Sequence, residues 1–193
     1  MKKPIPTASQ TVGPFFHVGL RHPELADLTR GGKAKGETIV IEGQVRDGDG
    51  APVPDAMLEI WQANAAGKYD HPEDLQDKPR DANFLGFGRA FTDQHGRYRF
   101  TTIRPGPVPG RGNTLQAPHM VMSVFARGLL NRLVTRIYFG DLAQANESDP
   151  VMSKIDDVAQ RRTLLAQPVN GATPGYRFDV VLQGKGETVF FDV

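Results

Sequence analysis

Five histidines, His17, His22, His71, His95 and His119, are the side chains of this 193-residue chain best suited to metal or acid–base chemistry, and there is no cysteine. Without cysteine there is no disulfide, no thiolate-bound zinc or iron–sulfur cluster and no thiol nucleophile. A metal site carried on a strand takes the form H-x-H, because residues i and i+2 point to one face. The stretch "HMVMSVF" opens on His119 in that way, but Val121 stands where the second histidine is needed. His71 follows Tyr69 in a turn, His95 sits at another turn, and neither H-x-x-x-H nor H-x-x-E-H occurs. On pattern alone His119 reads as a satisfied core or interface histidine rather than a ligand. Ser123 shares its expected face, yet there is no G-x-S-x-G elbow and no acid placed to orient the imidazole. "GKGETV" and "GFGRAF" lack the following helix that a phosphate or dinucleotide loop requires. Arg127, Arg132 and Arg136 cluster around one turn, either as a solvated face or as an attractor for an anionic ligand.

The elements that must position these residues are short strands. Glycine (21) and proline (15) are frequent and scattered, which punctuates strands rather than helices. "ETIVIEGQV" (37–45) alternates with period two and runs into the turn "RDGDG"; "AMLEIWQAN" (56–64) follows. "GFGRAFT" (86–92) and "RYRFTTI" (97–103) flank "DQHG" as an expected hairpin. "HMVMSVFA" (119–126) and "RLVTRIYF" (132–139) form a second pair. "YRFDVVLQ" (176–183) and "TVFFDV" (188–193) form an expected final hairpin. The proline-rich "RPGPVPGRGN" (104–113) excludes regular structure. Helices are expected at 156–166, with acids early and arginines late, and briefly at 141–148. The fold class is therefore all-β, a β-sandwich of about eight strands spanning 37–193 with one or two short helices. Residues 1–36 form an N-terminal arm, either packed on its own domain or embracing a partner chain. Basic and acidic residues (23 and 22) are mixed without a basic stripe, which argues against nucleic acid as a partner. No apolar run reaches the length of a membrane span, and "MKKPIPTASQ" lacks the apolar centre of a signal peptide, so a cytoplasmic protein without membrane contact is expected.

Three phrases together are more specific than any of these signals. "EGQVRDGDGAPVPDAMLEIWQANAAGKYDH" (42–71), "GFGRAFTDQHGRYRFTTIRPGPVPG" (86–110) and "APHMVMSVFARG" (117–128) resemble the intradiol ring-cleavage dioxygenases, and the likeness runs over roughly 5–193. The resemblance implies a β-sandwich enzyme that uses non-haem Fe(III) and O2 to split a catechol between its hydroxyls. It also implies four iron ligands, two tyrosines and two histidines. At the matching positions this chain has Tyr69, Val108, His119 and Val121. Valine offers no lone pair, so these are vestigial positions, and the chain alone is expected to hold no metal and to have no catalytic residue of its own. The implied partner is a catalytic chain of the same fold that binds the iron, within a large hetero-oligomer acting on an aromatic substrate. The family residues that wall the partner's pocket match Thr11, Gly13, Pro14 and Arg127, with Arg132 and Arg136 as weaker alternatives to Arg127. A Gly-Pro backbone approaches a flat ring closely, and a permanent guanidinium attracts a carboxylate and anionic oxygenated intermediates. Two competing readings stay open at this point: a self-sufficient metalloenzyme using Tyr69 and His119, and a prealbumin-like binding module without catalysis.

Overall fold

Residues 5–192 are described by a computed structural model. After a short helix α1 (Pro14–Leu20) and a 3-10 turn at Pro23–Ala26, the chain builds β1 (Thr38–Arg46), β2 (Met57–Gln62), β3 (Phe87–Phe91) and β4 (Arg97–Ile103). Two short strands, β5 (Val108–Pro109) and β6 (Leu115–Gln116), precede β7 (His119–Phe125) and β8 (Leu133–Phe139). Helices α2 (Ala143–Glu147) and α3 (Val158–Arg162) lead to β9 (Leu165–Val169), β10 (Gly175–Arg177) and β11 (Val180–Val181). Nine strands join along one nearly closed path, β11–β1–β10–β9–β8–β7–β2–β3, with β4 on the other side of β1, while β5 and β6 pair by themselves. The protein is thus mostly β, as the glycine and proline punctuation requires. No helix among the described residues is long and apolar enough to cross a membrane.

The period-two pattern of "HMVMSVF" does what it encodes. Met120, Met122 and Val124 are fully buried, while Val121, Ser123 and Phe125 are half-exposed on the other face. These three join Leu58 and Ile60 of β2 and Ile137 of β8 against Ile39 and Ile41 of β1 and Phe100 of β4 in one core. Full burial of each such side chain contributes about 1.5–3 kcal/mol. β1 also carries both closing strands, pairing in parallel with β10 over Val40–Glu42 and with β11 over Val45–Arg46. Between them the Phe178 carbonyl crowds Gly43, where a Cβ would lie 1.8 Å from that oxygen, and the Tyr98 hydroxyl donates to the same oxygen at 2.5 Å. Only glycine fits that approach.

Four expectations are corrected. The strands flanking "DQHG" do not pair as a hairpin: β3 pairs with β2, and β4 pairs with β1 along all seven residues. Asp93 folds the turn by accepting the His95 and Arg97 N–H groups, and the Val45 N–H then bonds the Gly96 carbonyl, which carries the chain across to β1. Residues 188–192 form no strand; Phe191 and Val189 instead bond Val134 and Thr135 of β8. The helix expected over 156–166 ends at Arg162, and β9 begins three residues later. Within the proline-rich 104–113, Val108–Pro109 is a two-residue strand. In the expected arm, Leu28 is fully buried, its N–H bonds the Thr101 carbonyl, and Asp27 bridges Thr101. That segment plugs one end of the seam between β3 and β4, which do not pair with each other.

Candidate functional site

The four positions expected to be vestigial, Tyr69, Val108, His119 and Val121, gather around one residue, Arg136. Val121 on β7 is its direct cross-strand neighbour, and Trp61 on β2 is the next in the same row. The Tyr69 ring stacks on Trp61 at 5.9 Å with an interplanar angle of 6°. Val108, almost fully buried, pairs with Gln116, whose Oε1 accepts from Arg136 Nη1 at 2.7 Å. Arg136 Nη1 also donates to the Tyr138 hydroxyl at 3.2 Å, and the Tyr138 ring lies 5.6 Å from that of His119. Phe191 covers the guanidinium from 6.0 Å. The sequence alone weighed Arg136 only as a minor candidate for a pocket wall. Laying "HMVMSVFA" against "RLVTRIYF" as an antiparallel pair is the signal that places it opposite Val121.

This donor set does not fit Fe(III). Val108 and Val121 have no lone pair. Burial raises the Tyr69 phenol above its ordinary value, against an opposing pull from Arg136. The His119 Nδ1 is 2.7 Å from the Ala117 carbonyl and carries the proton, since a carbonyl only accepts, so Nε2 is the one lone pair this ring could offer and two strong ligands of four are still missing. A permanent guanidinium stands among these groups and repels a cation.

Burial, reinforced by Arg136, lowers His119 to about 4 from an ordinary 6.5. Between these values the unfolded chain takes up a proton that the folded chain refuses. Stability is therefore complete above the ordinary value and falls with pH through this window, by up to about 3 kcal/mol. Urea unfolding at about pH 7 and about pH 4.5 measures it, and His119→Gln is expected to flatten that part of the slope. Identical slopes for the two proteins would contradict the assignment.

The other candidate residues gather at the far end of β7. The Gly128 N–H donates to Thr11 Oγ1 at 2.7 Å, and Ser9 Oγ donates to Asn131 Oδ1 at 3.1 Å. These bonds tie the arm to the β7–β8 turn. Gly13 then caps α1 with extended backbone, Pro14 opens the helix, and Phe16 packs on Phe125 at 5.8 Å. Thr11, Gly13, Pro14 and Arg127 therefore share one patch. Arg127 is 68% exposed, and its nearest carboxylate, Asp55, is 4.0 Å away and 56% exposed, a pair worth little in water. Arg132 is exposed on the same turn, whereas Arg136 belongs to the vestigial cluster. At about 3.3 Å per residue, Arg127 lies about 25 Å from His119 along β7.

The vestigial end is fixed from behind by Asp149, which is fully buried. Its oxygens accept the Ala117, Val151 and Met152 N–H groups at 2.8, 2.8 and 2.9 Å and the Tyr138 hydroxyl at 3.1 Å. Sequence reading passed over Asp149, Gln116 and Tyr138, since a single buried acceptor has no periodic signature.

The family model described as "Dioxygenase" matches residues 12–184. The protocatechuate 3,4-dioxygenase alpha chain of Pseudomonas putida is 42% identical over 96% of this chain and 96% of its own length. The protocatechuate 3,4-dioxygenase beta chain of Burkholderia cepacia is 41% identical over 88% of this chain and 74% of its own. The crystal structure of 3-chlorocatechol 1,2-dioxygenase from Rhodococcus opacus 1CP superposes with a TM-score of 0.63 over 94% of this chain and 69% of its own, at 23% identity, a likeness of fold. Matched along nearly its whole length, and carrying the ordered motifs around Tyr69, Val108 and His119, the chain belongs to the intradiol dioxygenase family.

Proposed function

We propose that this chain is the non-iron-binding α subunit of a protocatechuate 3,4-dioxygenase. Its partner is a catalytic β chain of the same fold, which holds Fe(III) and supplies the chemistry that activates a catechol toward O2. The complex adds both atoms of O2 to 3,4-dihydroxybenzoate and releases 3-carboxy-cis,cis-muconate. The observation that carries the reading is the separation of the two clusters. The residues suited to a pocket wall lie about 25 Å from this chain's own vestigial donors, too far to serve them. They face outward instead, where a neighbour's site can meet them.

On this reading Arg127 attracts the benzoate carboxylate, and the Gly13–Pro14 backbone lies against the ring. Thr11 acts by holding the arm on Gly128, which leaves its own hydroxyl proton free to donate. Residues 5–20 pack on the β chain, with the exposed Phe15, Val18 and Leu130 as the apolar part of that interface. The strands then act as two layers of a sandwich, β1, β4 and β10 against β2, β3, β7 and β8. A cytoplasmic hetero-oligomer of several α/β pairs is the expected form.

Co-expression with a candidate β chain, followed by oxygen uptake on 3,4-dihydroxybenzoate, tests the assignment. The two chains are expected to co-purify and to consume one O2 per substrate, while this chain alone consumes none. Full activity of the β chain without this chain would overturn it.

A further inference from the structure

A cleft of about 800 Å3 lies at the seam between β3 and β4, lined by residues of neither cluster above. Six arginines line it: Arg21 after α1, Arg46 at the end of β1, Arg89 on β3, Arg97 and Arg99 on β4, and Arg177 on β10. Only two carboxylates, Glu42 and Asp93, share its wall. The cleft thus gathers six of the chain's 23 basic residues in one place.

Three of the arginines are already paired: Arg89 with Glu59 at 2.5 Å, Arg99 with Glu42 at 2.8 Å and Arg177 with Asp179 at 3.0 Å. Asp93 is engaged by the turn it folds, accepting from the His95 and Arg97 N–H groups. Arg21, Arg46 and Arg97 make no ion pair among the described residues. Arg46 has one neutral contact, Nε to Gln44 Oε1 at 2.9 Å, and Arg21 Nη1 is 3.2 Å from His17 Nε2. Most of their N–H donors are thus uncommitted.

Charged side chains also guard open strand edges, and a guard of that kind projects singly into water. These instead line one shared concavity, together with Gly43, Ala90 and Tyr98. Low-dielectric walls concentrate the field of such charges, and guanidinium forks match carboxylate and phosphate oxygens in pairs. The volume lies within the usual range of small-molecule sites. We propose that this cleft binds a small polyanion, bearing two or more carboxylate or phosphate groups, through Arg21, Arg46 and Arg97. This site is separate from the proposed ring-cleavage pocket and does not depend on it.

Isothermal titration of the intact assembled protein with citrate and, separately, with inorganic pyrophosphate, at about 0.15 M salt, tests the proposal. Saturable binding of at least one probe, one per chain, is expected, and the tighter of the two assigns carboxylate or phosphate. The double variant Arg46→Gln/Arg97→Gln is expected to weaken binding roughly a hundredfold. The exposed pair Arg111→Gln/Arg162→Gln, an equal loss of charge outside the cleft, is expected to leave affinity within about twofold, as suits a screened distant charge. If the first double variant fails to fold, Arg97→Gln alone replaces it, with a loss of roughly tenfold. Three results would overturn the proposal: no saturable binding of either probe, equal weakening by both double variants, or binding by the isolated chain that vanishes in the complex.

Discussion

Arg127→Ala in the assembled α/β complex is expected to lower kcat/KM for 3,4-dihydroxybenzoate about ten- to hundredfold, the loss of one charge-assisted contact of roughly 1.5–3 kcal/mol. The reasons are local. Arg127 lies just beyond the end of β7, its side chain is 68% exposed, and its Asp55 partner at 4.0 Å is too distant and too hydrated to hold it. Its removal therefore costs the isolated chain almost no stability, and the loss appears only where a neighbour's substrate is present. Arg127→Lys keeps the charge but not the planar fork and is expected to recover part of the activity. Catechol without the carboxylate separates the two roles: if Arg127 binds that group, the variant and the parent differ much less on catechol. Unchanged kinetics in a complex of correct stoichiometry would remove Arg127 from the pocket.

Asp149→Ala is expected to destabilise the chain by about 3–5 kcal/mol, the largest stability effect of a single side chain outside the apolar core. Four donors, the N–H groups of Ala117, Val151 and Met152 and the Tyr138 hydroxyl, lose their acceptor inside the protein at once. Each buried donor left unmet costs roughly 1–3 kcal/mol, and relaxation and water entry recover part of the sum. Asp149→Asn keeps one acceptor oxygen and turns the other into a donor, so about half of that loss is expected. Urea unfolding reads both. A loss below about 1 kcal/mol for Asp149→Ala would mean that the bonds around Asp149 do not hold the start of β7.

How far the sequence speaks depends on whether a feature repeats. Met120, Met122 and Val124 alternate with half-exposed partners, so β7 was legible, as was its pairing with β8 across a short turn. Helix α1 was not legible, because Phe15 and Val18 are exposed and no apolar stripe faces the chain's own core. β9 was hidden by Pro168 within it and by the arginine-rich helix before it. The strands around "DQHG" misled because the turn is real while the pairing is not: the choice between β3 and β1 as partner of β4 is made by long-range contacts. At the site, the motifs alone put Val108 and Val121 where the resemblance implies iron ligands. The position of Arg136 among them was not, since it follows from strand register rather than from any motif.

On the proposed function this chain lends a wall to a partner's iron site and holds no iron itself. Metal analysis of the purified chain, expressed alone in iron-replete medium, with its visible absorption spectrum, tests it most directly. Iron far below one atom per chain and no phenolate-to-iron(III) band are predicted. One iron per chain with that band would contradict the account, for it would require Tyr69 and His119 to find further ligands beside Arg136.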